Sequence, residues 1–158
     1  MVVSTPVGGC TGTLVARNVV LTAGHCVKKL SLTDLKKIRV FGGLLDFKLK
    51  PNPSDDFIVA RVQESRDYES GIDKTAPNDL AYLELGRNST VAPTAITYGR
   101  PKAGTDQRIR GYGKVADTEA GKNSILHEAL VRIVNKRLRR TRSRFSCASG
   151  VTRCRSNT

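Results

Sequence analysis

At 158 residues the chain has the length of a single domain, enough to bury a core of useful size. Aromatic residues make up only 5% and Trp is absent, so that core has to be built from Val, Leu, Ile and Ala. Lys and Arg outnumber Asp and Glu by 27 to 14, a formal charge of +13, and no stretch approaches the roughly 18 apolar residues of a membrane-spanning helix.

From the N-terminus, Val7-Gly8-Gly9 reads as a turn into a strand that carries Cys10. Short apolar runs then recur at 12–15, 19–22, 38–41, 57–62, 80–85, 107–112 and 126–134. Turn formers separate them, as in Pro51-Asn52-Pro53, Ala76-Pro77-Asn78, Gly99-Arg100-Pro101 and Ala120-Gly121. Short strands at regular spacing with turns between them predict an all-β chain folded as an antiparallel barrel or sandwich. The alternative for residues 26–37 is a helix of one or two turns. His127, beside Glu128 in the last run, reads as solvent-facing. Residues 1–25 lack a basic start followed by a sustained apolar run, so a secretory leader is expected outside this sequence.

The positive charge is concentrated near the C-terminus. Residues 137–158 hold seven Arg and no acid, with Arg137, Arg139, Arg140, Arg142 and Arg144 crowded into eight positions. Apart from Phe145 no aromatic residue is interleaved, so this is a basic tail rather than a nucleic-acid motif. Such a run either stays simply solvated or makes salt-sensitive contact with polyanions. The four cysteines, Cys10, Cys26, Cys147 and Cys154, have no zinc-type spacing and are an even count. Disulfides, and with them an oxidising compartment, fit better. The triplet Asn88-Ser89-Thr90 fits the N-glycosylation pattern, which points the same way.

Two motifs stand out from this background. Leu21-Thr22-Ala23-Gly24-His25-Cys26 follows an apolar run and has Gly9-Cys10-Thr11-Gly12-Thr13-Leu14-Val15 upstream. Far downstream comes Asn78-Asp79-Leu80-Ala81-Tyr82-Leu83-Glu84-Leu85. Together they resemble the front half of a trypsin-like (chymotrypsin-fold) serine peptidase. Gly111-Tyr112-Gly113 is similar to that family's Gly-Trp/Tyr-Gly turn, and Phe145-Ser146-Cys147-Ala148-Ser149-Gly150 to its Phe-Cys-Ala-Gly stretch. The resemblance implies a chymotrypsin-like antiparallel double β-barrel with a catalytic cleft between the barrels. Residues of about 10–90 would form most of the first barrel and about 95–158 the start of a truncated second. The whole of 1–158 would then be one incomplete peptidase domain.

The resemblance also implies roles. His25 falls at the general base and Asp79 at the carboxylate that orients it, in the His…Asp…Ser order of the family. No metal or cofactor is implied, and the partners would be protein or peptide substrates in a secreted, extracellular setting. Cys10 and Cys26, on successive short strands joined by a turn, are expected to form a disulfide that tethers the His25 turn; two buried thiols are the alternative. Cys147 and Cys154 are expected to lack their family partners. The Gly-Asp-Ser-Gly-Gly segment that supplies the nucleophile is absent from the sequence. Matching Cys154 to the family's cysteine puts Thr158 at the nucleophile position and Asn157 and Ser156 at the aspartate and oxyanion-hole glycine. That register is either a degenerate remnant or a chance match over a short tail. The expectation is therefore a serine-type endopeptidase domain, inactive as this chain alone. The other reading is a catalytically dead homologue that acts by binding.

Overall fold

The computed structural model describes residues 1–28, 30–65, 78–113 and 124–134, with the backbone of 145–146 and 155–156. The chain divides into two compact units, Met1–Ile96 and Thr97–Thr158.

In the first unit, alternation of buried and exposed side chains builds each strand. Strand β7, Ala81–Leu85, buries Ala81, Leu83 and Leu85 and exposes Tyr82 and Glu84, the period-two pattern of a sheet with one dry face. The preceding strands are β1 (Val2–Thr5), β2 (Gly8–Thr11), β3 (Thr13–Ala16), β4 (Val19–Thr22), β5 (Arg39–Phe41) and β6 (Asp56–Glu64). They form one seven-stranded sheet in the order β2-β1-β5-β6-β7-β4-β3, antiparallel at every pairing. Its two outer strands, β2 and β3, are consecutive stretches of chain separated by Gly12 alone. A sheet whose edges are joined through one residue has to curl on itself, and the result is a nearly closed barrel. Counting β2 and β3 as one bent strand, the barrel has six.

Closure requires bare backbone at Gly12. A Cβ there would lie 2.6 Å from Val20 Cγ1 and 2.9 Å from Val3 Cγ2, closer than real side chains approach. The Gly12 N–H donates to the Met1 carbonyl at 2.9 Å. The interior holds Val3, Leu14, Val20, Val27, Ile38, Val40, Phe57, Val59, Leu83 and Leu85. Phe57 is the one aromatic of this core among the described residues, so the core does lean on aliphatic side chains as the composition requires. Arg87 lies 4.2 Å above the Phe57 ring and donates to the carbonyls of Pro53, Ser54 and Asp56 at 3.1, 2.7 and 3.1 Å. One guanidinium thus covers the ring and satisfies the end of a 3-10 turn at Pro53–Asp55.

Each apolar run expected from the sequence overlaps a strand. β1 was not foreseen, and Gly8 and Gly9 belong to β2 rather than to a turn, because both pair with β1. The short helical stretch after His25 exists as a single turn, α1 (Leu32–Leu35), capped by the Ser31 side chain, which accepts from the Asp34 N–H.

In the second unit, β8 (Asp106–Gly111) and β9 (His127–Arg132) form a two-stranded antiparallel sheet. Glu128 bridges Arg110 at 2.7 Å and Arg108 at 3.2 Å across one face. His127 is half-buried rather than solvent-facing. The backbones of β10 (Phe145–Ser146) and β11 (Arg155–Ser156) pair antiparallel. Arg137, Arg139, Arg140, Arg142, Arg144, Cys147, Cys154 and Thr158 lie outside the described residues.

Gly12→Ala is the sharpest test of barrel closure. Two branched side chains would have to move for the new methyl, and overpacking of this kind costs about 1–3 kcal/mol. Urea unfolding of the full chain should show the unfolding free energy fall by that amount, with a lower midpoint; an unchanged midpoint would mean that β2 and β3 are not joined as described.

Candidate active site

The site follows from strand register. β4 and β7 are antiparallel neighbours, and Thr22, the last residue of β4, is paired with Ala81, the first of β7. The residues that follow Thr22 and those that precede Ala81 therefore emerge at the same end of the barrel. Thr22 itself is buried, and its hydroxyl donates to the Thr11 carbonyl of β2 at 3.0 Å. That bond fastens the exit of β4 to the strand carrying Cys10.

Beyond Thr22 the chain turns at once into a 3-10 turn, Gly24–Cys26. The N–H groups of Val27 and Lys28 both donate to the Gly24 carbonyl at 3.0 Å. Cys26 points inward and is disulfide-bonded to Cys10, with their Cα atoms 6.4 Å apart. A loop of this length, 16 residues in separation, gains about 3 kcal/mol from such a link. His25, between two buried neighbours, is left on the outside.

On the other side Asn78 adopts φ 59°, the left-handed region that Asn tolerates better than most residues. The Leu80 N–H donates back to the Asn78 carbonyl at 2.7 Å. This tight reversal aims Asp79 at the His25 turn. One carboxylate oxygen, Oδ1, accepts the His25 backbone N–H at 2.7 Å, and the other, Oδ2, lies 2.7 Å from His25 Nδ1. Gly24 makes room for the approach: a Cβ on it would lie 3.2 Å from Asp79 Oδ1 and 3.3 Å from the backbone N and O of Leu80.

Burial alone would raise the Asp79 carboxyl, but the hydrogen bonds and charge of His25, with a smaller contribution from the Gly24 backbone, outweigh it. The net shift is downward, below the ordinary 3.8. An ionised carboxylate only accepts, so the neutral imidazole places its proton on Nδ1 and offers Nε2 as a proton acceptor. The imidazole side chain is 63% exposed and that of Asp79 30%. No described residue engages Nε2.

Cys10, His25 and Cys26 place potential ligand atoms within 4.8 Å of one another. Both sulfurs are taken up in the disulfide, so neither is the thiolate that a soft metal would need. Of the residues singled out in the sequence, His25 and Asp79 are brought together, and Cys10 and Cys26 are bonded. Sequence reading missed the structural part played by Asn78 and Thr22, and the close approach of Asp79 that Gly24 permits. An Asn immediately before the Asp, at the turn into a strand, was the available signal for a left-handed turn.

The barrel, the small second sheet and the His25–Asp79 pair describe a chymotrypsin-like fold, and the chain belongs to the trypsin family: that family's model matches residues 1–158. Among known relatives, it is 30% identical over 132 residues to the thrombin-like enzyme cerastocytin of Cerastes cerastes, covering 80% of this chain and 47% of that protein. It is 28% identical over 138 residues to neutrophil elastase of Mus musculus, covering 83% and 49%. The chain thus spans about half the length of the curated relatives it matches. The fold is shared with neuropsin, a serine protease expressed in the limbic system of mouse brain, with TM-score 0.70 and 22% identity over 86% of this chain and 59% of that one. It is shared equally with the scabies mite inactivated protease paralogue S-D1, with TM-score 0.67 and 20% identity over 86% and 57%.

Asp79 should leave a signature in acid. A carboxyl whose folded pKa is depressed contributes stability that is fully present above its unfolded value and lost as pH falls through the folded one. The stability difference between the native chain and Asp79→Asn should therefore shrink as pH falls below about 4. Chemical denaturation at a series of pH values measures it, and a difference independent of pH down to the acid limit would contradict the assignment.

Proposed function

We propose that this chain carries the proton-transfer half of a serine-peptidase centre, with His25 as general base and Asp79 as the residue that orients it. The supporting observation is the 2.7 Å contact between His25 Nδ1 and Asp79 Oδ2, reinforced by the second oxygen on the His25 N–H. As an attacking hydroxyl adds to a scissile carbonyl, Nε2 takes its proton. The imidazolium so formed faces the Asp79 carboxylate, and the proton then passes to the leaving amine. Substrates on this reading are peptides or proteins, and the chemistry needs protein groups alone. The Cys10–Cys26 disulfide favours an oxidising, extracellular setting.

What the sequence lacks is the Gly-Asp-Ser-Gly-Gly segment. Matching Cys154 to the family's cysteine would put Thr158 in the nucleophile's place, where its methyl would crowd attack, and Asn157 could not carry the charge of the family's aspartate. Loss of a single oxyanion-hole donor already costs about 10²–10³ in rate. The 158 residues alone are therefore proposed to be inactive or nearly so. The second reading is a dead homologue that binds a protein target through its first barrel. The arginine run at 137–144 would then hold polyanions.

A fluorogenic peptide assay separates these readings. The 158-residue chain should give no turnover above that of its His25→Ala variant. In any longer product of the gene that continues into a Gly-Asp-Ser-Gly-Gly segment, His25→Ala should cost on the order of 10⁶ in kcat. Turnover by the short chain that disappears in both His25→Ala and Thr158→Ala would make Thr158 the nucleophile. A longer product whose activity survives His25→Ala would end the proposal for His25.

A further inference from the structure

We propose that Asn88 is a site of N-linked glycosylation, on the barrel surface at the end of β7 away from His25 and Asp79. Among the asparagines of the sequence, Asn88-Ser89-Thr90 meets the acceptor pattern; Asn52-Pro53-Ser54 comes near but has proline at the forbidden middle position. The structure separates the two triplets further. The Asn52 side chain is already in use, accepting the Ser54 N–H at 3.2 Å as the cap of a 3-10 turn. Asn88 and Thr90 are exposed, and neither side chain is held by a hydrogen bond to the described residues.

The residue between them anchors the loop. Ser89 is buried, its N–H donates to the Arg17 carbonyl at 2.7 Å, and its hydroxyl accepts the Val91 N–H at 3.2 Å. With Ser89 drawn inward, its two neighbours face solvent. Arg87, which could otherwise shield Asn88, is turned onto Phe57 and the carbonyls of Pro53, Ser54 and Asp56. A bulky glycan on Asn88 can therefore be carried by the folded barrel without displacing any packed group. β7 separates Asn88 from Asp79, and its five residues at roughly 3.3 Å each put the strand's two ends about 13 Å apart. The glycan would stand clear of the imidazole.

The modifying reaction needs a lipid-linked oligosaccharide diphosphate as donor. A bond forms between Asn88 Nδ2 and C1 of the terminal sugar while the C1–O bond to the diphosphate breaks. The lipid diphosphate leaves with the bonding electrons, and the amide nitrogen gives up one proton. The result is a solubilising surface group.

The test is cell-free translation of the full chain behind a secretory leader with added microsomes, scored on the protease-protected fraction. The expected product migrates more slowly, returns to the unmodified position after peptide-N-glycosidase treatment, and then carries Asp at position 88 in its peptide map. Asn88→Gln and Thr90→Ala should each abolish the shift, and Thr90→Ser should retain it. A protease-protected chain with unmodified Asn88 would overturn the proposal. So would a glycosidase-sensitive shift that persists in both Asn88→Gln and Thr90→Ala.

Discussion

The structure of the first unit depends on one constraint: the two edges of its sheet are the same piece of chain. β2 runs into β3 through Gly12, so the sheet can satisfy its edge hydrogen bonds only by curling shut. Once shut, β4 lies against β7 with Thr22 opposite Ala81, and the Thr22 hydroxyl reaches the Thr11 carbonyl. Three segments far apart in sequence, around residues 10, 25 and 79, then share one end of the barrel. The His25–Asp79 pair is a consequence of closure and register more than of any attraction between the two side chains.

That attraction is modest by itself, since an exposed ion pair typically contributes no more than about 1 kcal/mol. What it does here is select one geometry. The Asp79 carboxylate grips both the backbone N–H and the ring Nδ1 of the same residue, so it fixes the imidazole's orientation and tautomer together. The disulfide to Cys10 holds the turn from beneath. Asn78 and Gly24 remove the steric obstacles, one by accepting a left-handed backbone and the other by having no Cβ. An imidazole that is 63% exposed is thus fixed at Nδ1 by a partner that also holds its backbone.

Much of this was legible in the residues. The apolar run at 80–85 marked a strand, and Pro51-Asn52-Pro53 marked a break that the structure uses as a capped 3-10 turn. The two motifs pointed to His25 and Asp79 through their resemblance to the trypsin-like family. β1 was not legible: Val2-Val3-Ser4-Thr5 is four residues long, has no alternation, and pairs through its backbone with glycines that look like a turn. Nor was His127, which is half-buried on the face of β9 that it shares with Ala129 and Val131. The reason for Gly24 is the close approach of Asp79, whose Oδ1 an added Cβ would meet at 3.2 Å, from a segment more than fifty positions away, and no local pattern encodes that distance.

The central claim is that Asp79 fixes the His25 tautomer through Nδ1. The most direct measurement is heteronuclear NMR of the His25 ring in the neutral state, on chain labelled with nitrogen-15. The account predicts a protonated Nδ1 with a downfield-shifted proton protected from exchange, an unprotonated Nε2, and loss of that proton signal in Asp79→Asn. A neutral His25 protonated at Nε2, or an Nδ1 proton indifferent to Asp79→Asn, would contradict it.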